Sequence, residues 1–339
     1  MDRVTKEKLW GPPFVAPLPH VVILGAGASR AAFPHGDRYG NRLPLIDDLP
    51  AIVGKPWHDV VKFVPPPIAG FESQFSWLRQ QLKFDEALYK VERRLIEYFQ
   101  GLELPDEPTI YDYLVLGLRP KDIIATFNWD PLLLAAHIRN RRVAQLPPIR
   151  FLHGCVSYLT CSDHDVLGSF DESCPICLQP LGETKLFFPE SEKDYAKDPA
   201  IYREWKAAGE RLRRAFHVTI FGYSGPQADY NARKLLLDDW TKSPMREVSH
   251  VEIIDLADDT DLCRRWRDFI PFHHEMVHTE FWESTIAKWP RRTGEYKLPA
   301  SLYGIPAESI GPFRTDSLVE LQDWHARLAG QEYESVLQS

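Results

Sequence analysis

His20-Val21-Val22-Ile23-Leu24-Gly25-Ala26-Gly27-Ala28-Ser29 is an apolar run that ends abruptly in five small residues. The run has no polar alternation, as expected of a strand covered on both faces of a parallel sheet. Small residues after such a strand let the backbone approach a pyrophosphate, and a helix starting there offers free N–H groups. The dinucleotide fingerprint has a third glycine three residues after the second. Arg30 stands at or near that place, and no glycine follows until Gly36. The loop is therefore not the ordinary dehydrogenase loop. Taken alone, the signal is weak, and a tight strand–helix turn that binds nothing is the alternative reading.

The same pattern recurs along the chain. Residues 122–127, 149–152, 217–221 and 250–256 are further short apolar runs, and 276–281 offers a sixth. Helical patterns lie between them, at 76–100, 130–142, 200–216 and 229–240. This alternation predicts an α/β fold, a doubly wound, Rossmann-like parallel sheet. Residues 31–120 interrupt it with Pro65-Pro66-Pro67 and a long amphipathic stretch, and read as a mostly helical insertion. Residues 155–189 are rich in cysteine and turn residues, and read as a small stapled module. Residues 15–290 are expected to form one nucleotide-binding domain containing both, with 291–339 as a C-terminal extension ending in a helix over 315–328.

Composition narrows the function classes. The chain has 339 residues, 44% apolar and 26% charged, with ten Trp, thirteen Tyr and eighteen Phe, which argues for a folded core and against disorder. The net charge of −8 lacks the basic excess of a nucleic-acid groove, so direct nucleic-acid binding is not expected. The basic cluster Arg211, Arg213, Arg214 reads as a solvated helix face. No apolar run is long enough for a membrane span, and Met1 to Trp10 lacks a signal-peptide stretch, so a cytoplasmic protein is expected.

Polar residues stand at the predicted strand tips, where open parallel sheets bind ligands. Strand two ends in Thr126-Phe127-Asn128-Trp129-Asp130, and strand three in Leu152-His153-Gly154. Asn128 reads either as a ligand-binding amide or as a cap of the next helix, and His153 either as a base or as a satisfied histidine. Strand four ends in Gly222-Tyr223-Ser224-Gly225, with Asp229 following, a turn able to take phosphate or ribose. Asp255, at the tip of strand five, suits ribose hydroxyls and equally suits a turn cap.

Four of the five cysteines fall between Cys155 and Cys177. Cys161-x-x-His164, then nine residues, then Cys174-x-x-Cys177 has zinc-ligand spacing, with Cys155 as an alternative to His164. Four protein ligands leave no open position, so the metal would be structural. Reduced, unligated cysteines are the other reading. Cys263 reads as a lone thiol. His273, His274, Glu275 and His278 do not fit a helical H-E-x-x-H and read as strand edge and loop.

In order and spacing, Gly25-Ala26-Gly27-Ala28-Ser29, Thr126-Phe127-Asn128-Trp129-Asp130, His153-Gly154, the cysteine module and Gly222-Tyr223-Ser224 resemble the SIR2 (sirtuin) family over about residues 20 to 256. The resemblance implies a sirtuin-type Rossmann domain with a zinc ribbon, and NAD as substrate. Asn128 would hold the nicotinamide ribose and its attacking water, with Asp130 supporting the pocket and His153 as general base. The glycine loop and Ser224 would take the phosphates, Thr126, Phe127, Gly222 and Tyr223 would belong to the same cofactor wall, and Asp255 would hold the adenosine ribose.

The departures separate branches of that family. After the first loop the chain reads Ala32-Phe33-Pro34-His35-Gly36-Asp37-Arg38-Tyr39, which keeps the deacylases' stretch only loosely. After the cysteines it reads Leu186-Phe187-Phe188-Pro189-Glu190, and a proline there removes a backbone donor needed for peptide pairing. The form Phe-Asn-Trp-Asp is similar to the bacterial SIR2-like NAD hydrolases of antiphage defence. That resemblance implies an NAD+ glycohydrolase that depletes NAD, acting as a homo-oligomer or with a protein partner such as an ATPase or a nucleic-acid sensor. An NAD-dependent deacylase and a non-catalytic nucleotide-binding module are the competing readings.

Overall fold

The computed structural model describes residues 19–161, 163–164, 166–168, 173–183, 186–188, 195–225, 229–271, 274–295 and 308–337. His273, Pro189, Glu190 and the Met1 to Trp10 segment lie outside these residues. In chain order the strands are β1 (His20–Leu24), β2 (Ile123–Thr126), β3 (Ile149–Phe151), the two-residue β4 (Leu159–Thr160), β5 (Leu167–Gly168) and β6 (Gly182–Glu183), then β7 (His217–Phe221), β8 (His250–Ile254) and β9 (Glu275–His278).

Six of them form one sheet in the order β3-β2-β1-β7-β8-β9, and every pairing is parallel. The winding reverses between β1 and β7, which is the switch point of a doubly wound sheet. Strand β9 is the sixth strand, centred slightly earlier than the 276–281 run suggests. The strands β5-β4-β6 form a separate antiparallel sheet within the cysteine module.

The absence of alternation follows from burial on both faces. Val22, Leu24, Ile124, Phe221 and Ile254 enter one core, shared with Phe71, Phe75, Leu88 and Leu95 of the insertion. Their neighbours Val21, Ile23, Ile123, Val218 and Ile253 enter a second core with Trp205, Leu236 and Trp266. Each face is thus a dry layer, and the run between two layers must be apolar throughout.

Helix α1 (Ala26–Ala32) follows β1 directly. The insertion supplies α2 (Leu49–Val53), α3 (Lys55–Val61), α4 (Phe71–Arg79), α5 (Asp85–Gln100) and α6 (Ile110–Leu116). Then come α7 (Leu132–Asn140), α8 (Pro199–Leu212), α9 (Tyr230–Trp240), α10 (Asp259–Trp266), α11 (Thr285–Lys288) and α12 (Leu318–Leu337). The single helix expected over 76–100 is two helices. The apolar stripe Phe71, Phe75, Leu78 changes phase before Leu88, Val91, Leu95, Phe99, and Leu82, which would continue the first stripe, is 81% exposed. The chain turns there, and Arg79 ties the two helices through Glu92.

The C-terminal segment packs onto the same body. Leu321 of α12 sits in the first core. The buried Arg291 guanidinium donates to both carboxylate oxygens of Glu332, at 2.7 and 3.0 Å, and also to the carbonyls of Leu116 and Leu118. Among the described residues, no helix is long and apolar enough to cross a membrane.

Candidate active site

The tips of β1 and β7 interlock at the switch point. Gly27 N–H donates to the Gly222 carbonyl at 2.9 Å. Gly222 has φ +59°, and a Cβ there would lie 2.1 Å from the Ala28 nitrogen. A Cβ on Gly25 would lie 2.6 Å from the Gly222 oxygen. Both positions therefore require glycine, whatever they bind.

Asn128 does not cap α7. Its Nδ2 reaches back to donate to the Gly25 carbonyl and to Ser29 Oγ, each at 2.9 Å, with Tyr111 Oη at 3.3 Å. Ser29 Oγ in turn donates to Asp130 Oδ2 at 2.6 Å and lies 2.6 Å from Tyr111 Oη. Asp130, one residue before the helix's N-cap Pro131, accepts from Leu132 N–H at 3.1 Å. Burial pushes the Asp130 carboxyl up, against the Ser29 and Leu132 hydrogen bonds that favour its charged form. The first loop and the second strand tip are thus one fully hydrogen-bonded unit. The amide nitrogen is committed to the protein, which leaves the Asn128 carbonyl as the group available to a ligand.

His153 follows β3. Its Nε2 lies 3.0 Å from Tyr195 Oη and 4.0 Å from Asp229 Oδ1. The ring of Phe127 meets it edge-on at 4.7 Å and stacks on Tyr223 at 4.1 Å. Tyr223 Oη donates to Asp229 Oδ2 at 3.2 Å. Trp205 of α8 donates its indole N–H to the Leu152 carbonyl at 3.0 Å, and Glu204 accepts from Phe151 N–H at 2.9 Å. These two contacts fix the strand end that carries His153.

These pieces surround one cavity of about 670 Å³, within the range of roughly 300–1,000 Å³ usual for small-molecule sites. Gly25, Ala26, Gly27, Ser29, Phe127, Asn128, Asp130, His153, Gly222, Tyr223, Ser224 and Asp255 all line it. Ala28 and Thr126 stand behind this wall rather than in it. Ala28 is fully buried, and Thr126 Oγ1 accepts from Asn128 N–H at 3.1 Å. Asp255 lines the cavity and also makes the turn-cap contact, accepting from Ala257 N–H at 3.0 Å.

Sequence reading missed Tyr111, Glu72, Phe187 and Tyr195. Tyr111 and Glu72 belong to the insertion and Tyr195 follows the turn-rich module, so neither spacing nor a strand tip marks them. The cavity wall carries the carboxylates Asp47, Glu72, Asp130, Asp229 and Asp255 against the cation Arg30, with the imidazole of His153 among them. The Arg30 guanidinium is already bound to Asp48 and to the Leu43 carbonyl. The wall therefore favours positive charge in the ligand.

The metal-ligand spacing also resolves into geometry. The donor atoms of Cys161, His164, Cys174 and Cys177 lie within 4.8 Å of one another. Cys161 Sγ is 3.6 Å from Cys177 Sγ and 3.4 Å from His164 Nδ1, and Cys174 Sγ is 3.6 Å from His164 Nδ1. A zinc tetrahedron with ordinary bond lengths has S···S edges of about 3.8 Å and S···N edges of about 3.6 Å. The donor set thus fits zinc, with all four positions filled by protein. Cys155 is not part of it; its thiol is buried beside the Asp130 carbonyl at 3.6 Å, and burial pushes it up to about 12.

Arg203 of α8 donates to the carbonyls of Cys161 and His164, at 2.7 and 3.1 Å, which couples the module to the helix that holds His153 in place. Chelation, or Cys174→Ser, is expected to lower bound zinc from about one per chain to near zero and to expose the 155–183 segment to protease. Metal analysis and limited proteolysis check this; a zinc-free wild type of unchanged melting temperature would count against the site.

Among solved structures, the chain is similar to Sir2 proteins at low identity. A Sir2 homologue in complex with NAD is 14% identical, covering 77% of this chain and 84% of that one, with a TM-score of 0.35. A structure described as the basis for the mechanism and regulation of Sir2 enzymes is 14% identical over 76% and 85%, at 0.37. Sir2 bound to the inhibitor EX-527, 2'-O-acetyl-ADP-ribose and a deacetylated p53 peptide is 16% identical over 77% and 86%, at 0.38. No family model and no curated protein matches the sequence. The class that fold and site define is a doubly wound parallel sheet with a carboxylate-rich small-molecule cavity at its switch point.

Proposed function

We propose that this chain hydrolyses NAD at the nicotinamide–ribose bond. The observation that supports it most is the convergence of Asn128 and His153, from separate strand tips, on the one cavity that the interlocked glycine loops also line. The glycine loop and Ser224 take the phosphates, and Asp255 the adenosine ribose. The cationic nicotinamide ring and the ribose cation that forms as it leaves both suit the acidic wall.

In the reaction a water oxygen bonds to the ribose carbon as the bond to the nicotinamide nitrogen breaks. That bond's electron pair returns to the ring and neutralises it, so no acid is needed for the leaving group. The transition state resembles an oxocarbenium ion. The Asn128 carbonyl orients the water without adding a charge, and His153 takes the water's proton. The Phe127-Asn128-Trp129-Asp130 form further suggests a role as an NAD-depleting effector of antiphage defence. The effector would act as a homo-oligomer or with a partner such as an ATPase or nucleic-acid sensor.

Mass spectrometry of products from NAD alone tests the reading. Wild type is expected to release nicotinamide and ADP-ribose without any acyl peptide, and His153→Ala to release neither. Release that requires an acyl-lysine peptide would make the chain a deacylase, and binding without turnover would make it a nucleotide-binding module.

A further inference from the structure

We propose that Tyr195 and Asp229 are positioning residues that set the basicity of His153, making the base a His–Tyr–Asp cluster rather than a lone imidazole. The inference rests on the reading of His153 as the proton acceptor in NAD cleavage. The four groups involved come from four places in the chain: His153 after β3, Tyr195 just before α8, Tyr223 after β7 and Asp229 at the start of α9. All four are buried. Two of them bear on the same imidazole nitrogen, Tyr195 Oη at 3.0 Å and Asp229 Oδ1 at 4.0 Å. The second oxygen of Asp229 is held by Tyr223 Oη at 3.2 Å, which fixes the carboxylate's direction. The ring planes of Tyr195 and His153 are 13° apart, and Phe127 abuts the imidazole from the side, so the ring has little room to turn.

A neutral imidazole has one N–H donor; after it takes a proton both nitrogens donate. In this arrangement the Nε2–H then finds the Tyr195 oxygen as acceptor. The new positive charge lies about 4 Å from a carboxylate in a place shielded from water, where their attraction is far stronger than at a surface. Tyr195 stays neutral through the cycle, because burial, and then the charge of Asp229, push its hydroxyl upward. Tyr223 stays neutral for the same two reasons, with Glu72 adding to them. The other ionisable groups of the cavity wall are the carboxylates Asp47, Glu72, Asp130 and Asp255 and the guanidinium of Arg30. Arg30 is bound to Asp48, and Asp229 is the carboxylate that lies 4.0 Å from Nε2, so its charge favours the imidazolium.

The test is a proton NMR titration of the His153 ring in the substrate-free full chain. The signal is assigned among the 12 histidines by its loss in His153→Gln. Asp229→Asn keeps size and is expected to lower the His153 pKa by about one pH unit or more, the usual effect of losing an opposite charge at this range. Tyr195→Phe is expected to lower it by less. The acid limb of the pH profile for nicotinamide release should move to lower pH by the same amount, with kcat falling and KM for NAD nearly unchanged. An unmoved His153 titration in a folded Asp229→Asn chain would overturn the proposal even if activity fell. If that variant does not fold, the Tyr195→Phe titration decides in the same way. A wild type that leaves NAD intact would sink the hydrolase reading only, since the titration needs no turnover.

Discussion

Replacing Asn128 by alanine is expected to lower NAD cleavage by about 10²–10³-fold, the usual loss when one fixed polar group at a reacting centre is removed. The stability loss should be smaller, about 1–2 kcal/mol, because the Gly25 carbonyl and Ser29 Oγ each lose the amide donor that they now share. Asn128→Asp separates the two roles. It keeps one side-chain oxygen but puts an acceptor where Nδ2 now donates. The Gly25 carbonyl would then face an oxygen, in a buried network that already contains the Asp130 carboxyl. The aspartate variant should therefore be at least as inactive as the alanine variant and melt below it. Nicotinamide release and thermal melting check the pair. An alanine variant with wild-type turnover removes Asn128 from the chemistry, and an aspartate variant as stable as wild type contradicts the hydrogen-bond assignment.

The network explains what the sequence made legible. The strand cores were readable because both faces are dry, so each strand is a short unbroken apolar run bounded by turn residues. The strand-tip residues were readable because a polar group placed immediately after such a run has few places to point. Zinc spacing was readable because both ligand pairs are local, and only geometry could choose His164 over Cys155. What remained hidden is what holds the cavity's polar side chains from outside the strand–turn pattern. Tyr111 arrives from α6 of the insertion and lies 2.6 Å from Ser29 Oγ; Tyr195 arrives from the loop before α8 and lies 3.0 Å from His153. An aromatic residue in a helix or loop has the same local signature whether it fills a core or holds a polar side chain. The break at 80–84 was missed for a related reason, since no Gly or Pro marks it and the cue is a shift in the phase of the apolar stripe.

One buried cluster was visible in outline and unread. Three adjacent strands each begin with histidine, and the register aligns His20 with His217 and His217 with His250. These lie at the opposite end of the sheet from the cavity. Beside them Glu252, fully buried on β8, accepts from Thr219 Oγ1 at 2.9 Å and from Thr285 N–H and Oγ1 at 2.7 and 2.9 Å. His278 Nε2 lies 3.5 Å and His217 Nε2 3.8 Å from its oxygens. Burial pushes the Glu252 carboxyl up, but the two imidazoles and the Thr285 N–H together outweigh that and hold it well below the usual carboxylate range. Glu252→Ala should thus strip the partner from several buried polar groups and destabilise the fold by about 3–5 kcal/mol at neutral pH. A carboxyl whose pKa is depressed by folding contributes stability that is present above its unfolded pKa and is lost as pH falls through the folded one. The gap between wild type and variant should accordingly be widest at pH values above about 4.3, the unfolded glutamate value, and narrow progressively below it. Urea unfolding of both chains across that range measures the gap. A loss under about 1 kcal/mol at neutral pH, or a gap that widens on acidification, would show that Glu252 does not carry its charge in the folded chain.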